Sequence, residues 1–122
     1  MLIAGDDADH RILLSSVIRR AGFRVREACD GEELLAILAE HGRPACVVTD
    51  LMMPRLSGFG VLEHLRDSDP GLPVVLISAV GDDSMRTLAT NLGAAAMLHK
   101  PFDFGALSEL VVRVAERPSR PH

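Results

Sequence analysis

Ala45-Cys46-Val47-Val48-Thr49-Asp50-Leu51-Met52-Met53-Pro54 decides the fold of this chain. Its first five residues form an uncharged apolar run of strand length, the pattern of a central strand covered on both faces. Asp50 closes the run at its carboxyl end. Pro54 restricts Met53 to extended backbone, so the chain leaves the strand through a loop rather than a helix. Gly58 then permits a turn into an amphipathic segment with Val61, Leu62 and Leu65 on one face.

The same rhythm extends in both directions. Upstream, Leu2 to Ala4 is a short apolar run, and Asp6, Asp7 and Asp9 supply helix N-cap candidates. Leu13, Leu14, Val17, Ile18 and Ala21 follow at helical spacing, and Gly22 ends that helix. Arg24 to Ala28 reads as a second strand whose polar flanks place it near an edge. Asp30-Gly31 open a helix with Leu34, Leu35, Ile37 and Leu38, ending around His41-Gly42. Downstream, Asp69-Pro70-Gly71 is a turn, and Pro73 to Ile77 is a fourth strand ending at Ser78. Asp82 and Asp83 precede a helix with Met85, Leu88, Ala89 and Leu92, stopped by Gly93. Ala94 to Leu98 is a fifth strand, broken by Lys100-Pro101. Leu107, Leu110, Val111 and Val114 mark a last helix.

Five alternating β–α units predict an α/β fold with a parallel sheet and helices on both faces. Residues 1–116 form the domain, and residues 117–122, with Pro118 and Pro121, read as a tail or linker stub. In such folds ligands bind outside the carboxyl ends of the strands, at a switch in strand order.

Composition narrows the function. The chain has 122 residues, 48% of them hydrophobic, with 13 Lys and Arg against 17 Asp and Glu and a net charge of −4. There is no basic excess to neutralise a phosphate backbone, and Trp and Tyr are absent, so direct nucleic-acid binding is not expected. No apolar run reaches the ~20 residues that span a membrane. The start lacks the charged region of a signal peptide. Two cysteines, Cys29 and Cys46, make no disulfide framework, and a cytoplasmic location is the default. The five histidines show no metal-ligand spacing and read as surface residues.

The chemistry gathers at the predicted strand ends. Asp6 and Asp7 follow the first strand, Asp50 the third, Ser78 the fourth and Lys100 the fifth. Three carboxylates, a hydroxyl and an ammonium therefore converge in one crevice. Carboxylates about 4 Å apart repel by roughly 1–4 kcal/mol per pair, which a bound cation would relieve. Oxygen ligands without a Cys/His cluster favour a hard ion such as Mg²⁺. A carboxylate can also act as a nucleophile, giving an aspartyl-phosphate, with Lys100 as cationic clamp and Ser78 as donor to a phosphoryl oxygen. Each residue has a plainer reading: helix caps for Asp6 and Asp7, a loop acid for Asp50, solvated surface for Lys100, turn chemistry for Ser78. Their joint placement at strand ends favours the functional reading.

These residues carry a resemblance. The chain resembles the response-regulator receiver domains, the CheY-like family, over nearly its whole length, from Leu2 to about Val114. The resemblance rests on Asp6-Asp7, on Asp50-Leu51-Met52-Met53-Pro54 with Gly58, on Ile77-Ser78-Ala79 and on His99-Lys100-Pro101-Phe102. It implies a flavodoxin-like, five-stranded doubly wound sheet of order 2-1-3-4-5 with five helices. It implies that Asp50 accepts a phosphoryl group from a sensor histidine kinase or phosphotransfer protein. Mg²⁺ would be held by Asp6 or Asp7, Asp50 and the backbone carbonyl of Met52, with Asp7 the direct ligand and Asp6 acting more often through water. Receiver domains commonly have a cis bond where Lys100-Pro101 stands. The family's strand order puts the first strand between those of Cys29 and Cys46, so both are expected to be free thiols.

The chain also departs from the family. Most receivers carry an aromatic residue three positions before the lysine, which swings inward with the Ser/Thr hydroxyl; here that position is Met97. The switch through Ser78 and Met97 is therefore expected to be softer or to work differently, acting on the surface of the fourth helix, fifth strand and fifth helix. Ala95-Ala96 stands where receivers that dimerise through this face carry acids, so at most a weak homodimer is expected. Met52 and Val80 flank the site at positions that tune phosphoryl loss in the family. Both are apolar, which suits a long-lived phosphoryl group; the alternative is that they only pack the loops, and Met52 and Met53 also read as loop and core filler.

The leading reading is thus a signalling domain that switches an interaction surface toward an output domain or downstream protein. It forms its own acylphosphate but turns over no external metabolite, so it is not classed as an enzyme. A phosphorylation-independent interaction module on the same fold is the alternative. A flavin-binding protein would need a hydroxyl- and Gly-rich phosphate loop where Gly5-Asp6-Asp7 stands. An Asp-nucleophile phosphatase would want an acid where Met52 stands. A dinucleotide site would need G-x-G-x-x-G.

Overall fold

The computed structural model describes residues 1–79 and 83–116. Strands and helices alternate throughout: β1 (Leu2–Ala4), α1 (Ala8–Arg20), β2 (Arg26–Ala28), α2 (Gly31–His41), β3 (Val47–Asp50), α3 (Gly58–Ser68), β4 (Val74–Ser78), α4 (Asp83–Asn91), β5 (Ala96–His99) and α5 (Phe104–Glu116). The strands pair in parallel as one sheet of order β2-β1-β3-β4-β5. This is the order that the resemblance implies, and it reverses direction beside β1, which opens a crevice between the ends of β1 and β3.

Period-two alternation sends strand residues into two separate cores. Leu2, Val47, Val74, Leu76 and Met97 pack with Leu34, Val61, Leu62 and Ala89 from α2, α3 and α4. Ile3, Val48, Val75 and Ile77 pack with Leu14 and Ile18 of α1 and Leu107, Val111 and Val114 of α5. Every residue of β1, β3 and β4 is buried, as expected of central strands covered on both faces.

Several boundaries differ from the sequence reading, each for a local reason. β2 is shortened to Arg26–Ala28 because its one neighbour, β1, begins at Leu2 opposite Arg26. β5 begins at Ala96, since the Ala94 amide still closes the end of α4 on the Ala89 carbonyl (3.0 Å). β3 and β4 run one residue further, so Asp50 and Ser78 are themselves strand residues paired with Ile77 and His99. Leu13 and Leu88, expected on the buried stripes of α1 and α4, are 51% and 44% exposed, one position off each stripe. Gly22 and Gly93 adopt φ of +102° and +93° and end α1 and α4 as their positions predict. Cys29 is exposed, Cys46 is buried, and both are free thiols. The proposed tail 117–122, with His122, and also Val80 and Asp82 lie outside the described residues.

Candidate functional site

β3 delivers Asp50 to the carboxyl edge of the sheet with 6% of its surface exposed. Two glycines make room for it. A Cβ on Gly5 would lie 2.6 Å from Asp50 Oδ2, and one on Gly58 would lie 2.8 Å from the Asp50 carbonyl oxygen. The turn signal seen at Gly58 is therefore a close-approach requirement: the start of α3 seats against the end of β3. The Gly58 amide donates to the Leu51 carbonyl (2.8 Å), and Ser57 caps the helix by accepting from the Gly60 amide (3.2 Å).

Opposite Asp50, the Lys100 amide donates to the Ser78 carbonyl at 2.8 Å, which fixes the residue after β5 beside the end of β4. The Lys100 ammonium reaches 3.2 Å from Asp50 Oδ1. That oxygen is buried, and among the described residues Lys100 is the partner that compensates it. The Lys100–Pro101 bond is cis, as expected. Ser78, at the end of β4, the strand between β3 and β5, is buried with 2% exposure.

Burial pushes the Asp50 carboxyl above its ordinary range, Lys100 and then His10 pull it back, and Asp6 adds a push upward. The acid is held in a desolvated pocket with one cationic partner and a like-charged neighbour, the environment in which a bound cation has most to offer.

The three expected carboxylates have different partners in this structure. Among the described residues no three His, Cys, Asp or Glu gather as a metal centre. Asp7 caps α1, its Oδ1 accepting from the Asp9 amide (3.1 Å) and the His10 amide (3.3 Å). Ionised carboxylates repel at short range, and Asp7 finds donors at the helix start while Asp50 finds Lys100. Asp6 and Asp7 are both exposed at the rim. The residues still fit a Mg²⁺, which binds through one or two carboxylates, carbonyls and waters rather than an all-protein cage. The buried Asp50 Oδ1 and the acidic rim supply that chemistry.

Met52 is 70% exposed, so it fills neither loop nor core. Met53 does that work, packed against the α2–α4 side with its sulfur 3.6 Å from Thr49 Oγ1. Met97 is 8% exposed, opposite Leu76 within the same core.

Three residues escaped the sequence reading. His10, read as surface, is partly buried, stacks edge-on against Phe102 with centroids 6.3 Å apart, and lines a cavity with Lys100, Pro101 and Phe104. The signal was the Asp7 cap, which places His10 in the first turn of α1 above the strand ends. Arg11 donates through Nη1 to the Gly5 carbonyl (2.6 Å) and pairs through Nε with Glu27 (3.0 Å), bracing the end of β1. Arg55 takes φ +69° and ties the β3–α3 loop to the first turn of α2 through Asp30 and Glu32, each at 3.8 Å. No local pattern announces those long-range pairs.

The family model described as "Response regulator receiver domain" matches residues 1–112. The chain belongs to the response regulator receiver domains. The receiver domain is 34% identical over 122 residues to a "Probable transcriptional regulator ycf27" of Cyanophora paradoxa, covering 99% of this chain and 50% of that protein. It is 39% identical over 114 residues to the "Transcriptional regulatory protein PrrA" of Mycobacterium tuberculosis, covering 93% and 47%. The chain thus spans about half the length of the curated relatives it matches. Among solved structures it is similar to the receiver domain of NtrX from Brucella abortus, with a TM-score of 0.89 and 29% identity over 96% of this chain and 98% of that one. It is a two-component signalling domain by family. Among the described residues no helix is long and apolar enough to cross a membrane.

Proposed function

We propose that this receiver domain takes a phosphoryl group onto Asp50 from a phosphohistidine of a sensor kinase or phosphotransfer protein, and that the modification switches an interaction surface. The observation that carries this reading is the buried Asp50 carboxylate facing Lys100 across the end of β4, with Ser78 beside them.

An Asp50 carboxylate oxygen attacks phosphorus, the new O–P bond forms, and the P–N bond to the donor imidazole breaks, returning a neutral histidine after protonation. Lys100 moves its charge from Asp50 to the phosphoryl oxygens, and Ser78 donates to one of them. Asp6, Asp7, Asp50 and the Met52 carbonyl would hold Mg²⁺, whose charge would offset that of the phosphoryl oxygens. No external metabolite is turned over, so the domain is a phosphoryl acceptor rather than an enzyme in the ordinary sense. The kinase, the output domain or downstream protein and the cytoplasmic location belong to this reading.

Movement of Ser78 toward the phosphoryl group would open space along β4 and β5, which Met97 can refill because its unbranched side chain adapts. The surface affected is that of α4, β5 and α5. A titration with beryllofluoride and Mg²⁺ followed by amide NMR tests the reading. Shifts are expected at Asp50, Ser78 and Lys100 and on that face, and none in Asp50→Asn. Shifts absent from the face but present at the site would leave acceptance without the switch and support a phosphorylation-independent module.

A further inference from the structure

At the end of the sheet opposite Asp50, a cleft of about 360 Å³ lies between the start of β2 and the turn from α2 to β3. Leu2, Val25, Ile37 and Pro44 give it an apolar floor, and Arg24 and Arg26 stand at its rim. No carboxylate-bearing residue lines it. The chain carries a net charge of −4, yet Arg19 and Arg20 end α1 at this same end of the sheet, and Arg24 and Arg26 follow. All four are exposed, and among the described residues none of them forms an ion pair. Arg43, also on the cleft, is committed to Asp69 at 2.8 Å. Of the acids at this end, Asp69 is paired with Arg43 and Glu40 lies 4.0 Å from His41 Nε2, so the charge standing free at the rim of the cleft is that of Arg24 and Arg26.

We propose that this cleft docks an acidic peptide segment of a partner protein, with an apolar side chain on the floor and flanking carboxylates on Arg24 and Arg26. Guanidinium forks match carboxylates in pairs, and unpaired arginines at a rim leave that capacity unused. The apolar floor separates this occupant from a nucleic-acid strand, which would engage the arginines and leave the floor empty, with no aromatic platform for its bases. The site is independent of phosphoryl acceptance.

The test uses the full chain, isotopically labelled, titrated with a synthetic peptide of alternating leucine and glutamate. Amide shifts are expected at Val25, Arg26, Gly42 and Arg43, weakening with added salt. Binding is expected to fall about tenfold or more in the Arg24→Gln/Arg26→Gln double variant, which alters only exposed side chains, and to persist in Asp50→Asn. Absence of shifts at millimolar peptide, or equal binding by the double variant, would overturn the proposal. So would equal or stronger binding, at the same residues, of an all-glutamate peptide or a single-stranded DNA oligomer.

Discussion

The Lys100 ammonium lies 3.2 Å from Asp50 Oδ1, reaching across the end of β4 to the acid on β3. The pair is asymmetric: the Lys100 side chain is 31% exposed and that of Asp50 only 8%. Removing the lysine therefore leaves a buried charge without a partner. Lys100→Gln is expected to destabilise the fold at neutral pH by about 1–2 kcal/mol, below the ~3–5 kcal/mol of a fully buried pair. Urea unfolding checks this, and the loss should vanish in acid, where Asp50 is protonated in both states.

Asp50 itself opposes folding at neutral pH. Its pKa is raised in the folded domain, chiefly by burial. The folded state thus holds the proton more tightly than the unfolded chain. The stability tied to this group is fully present below the ordinary carboxylate pKa and is lost as pH rises through the folded value. Asp50→Asn is expected to melt higher than the wild type at neutral pH, with the gap closing as pH falls below the ordinary carboxylate range. A constant gap across that window would show that the acid is not desolvated.

Mg²⁺ should stabilise the wild type. A ligand that binds only the folded state adds about 1.4 kcal/mol at ten times its dissociation constant, a shift of several degrees for a domain of this size. Asp50→Asn is expected to lose most of that shift, and chelation to reverse it. An equal shift in both proteins would move the cation away from Asp50.

Met52 stands 70% exposed beside the site, free of any packing duty that would mask its effect. Met52→Asn places a polar group where water must approach the phosphoryl group, and is expected to speed its loss severalfold. Decay followed by intact mass, with unchanged thermal stability, checks this. Unchanged decay would show that Met52 does not govern access.

The fold was legible because its signals are local. The run Ala45–Thr49 announced a central strand, and Gly22 and Gly93 announced helix ends. Asp50, Ser78 and Lys100 were legible too, since β–α alternation alone puts strand ends together. The part that was not legible is competition among neighbours. An acid such as Asp7 can cap a helix or face a cation, and sequence cannot rank the two; in this structure Asp7 caps α1. Arg55 acts through Asp30, a partner far along the chain, so no spacing reveals it. Leu13 and Leu88 show that hydrophobic periodicity fixes a helix face only to within one position.

Phosphoryl acceptance at Asp50 is tested most directly by intact-mass measurement after incubation with acetyl phosphate and Mg²⁺. The expected result is one added phosphoryl group on the wild type and none on Asp50→Asn. No addition to either protein, or the same addition to both, would contradict the assignment of Asp50 as acceptor.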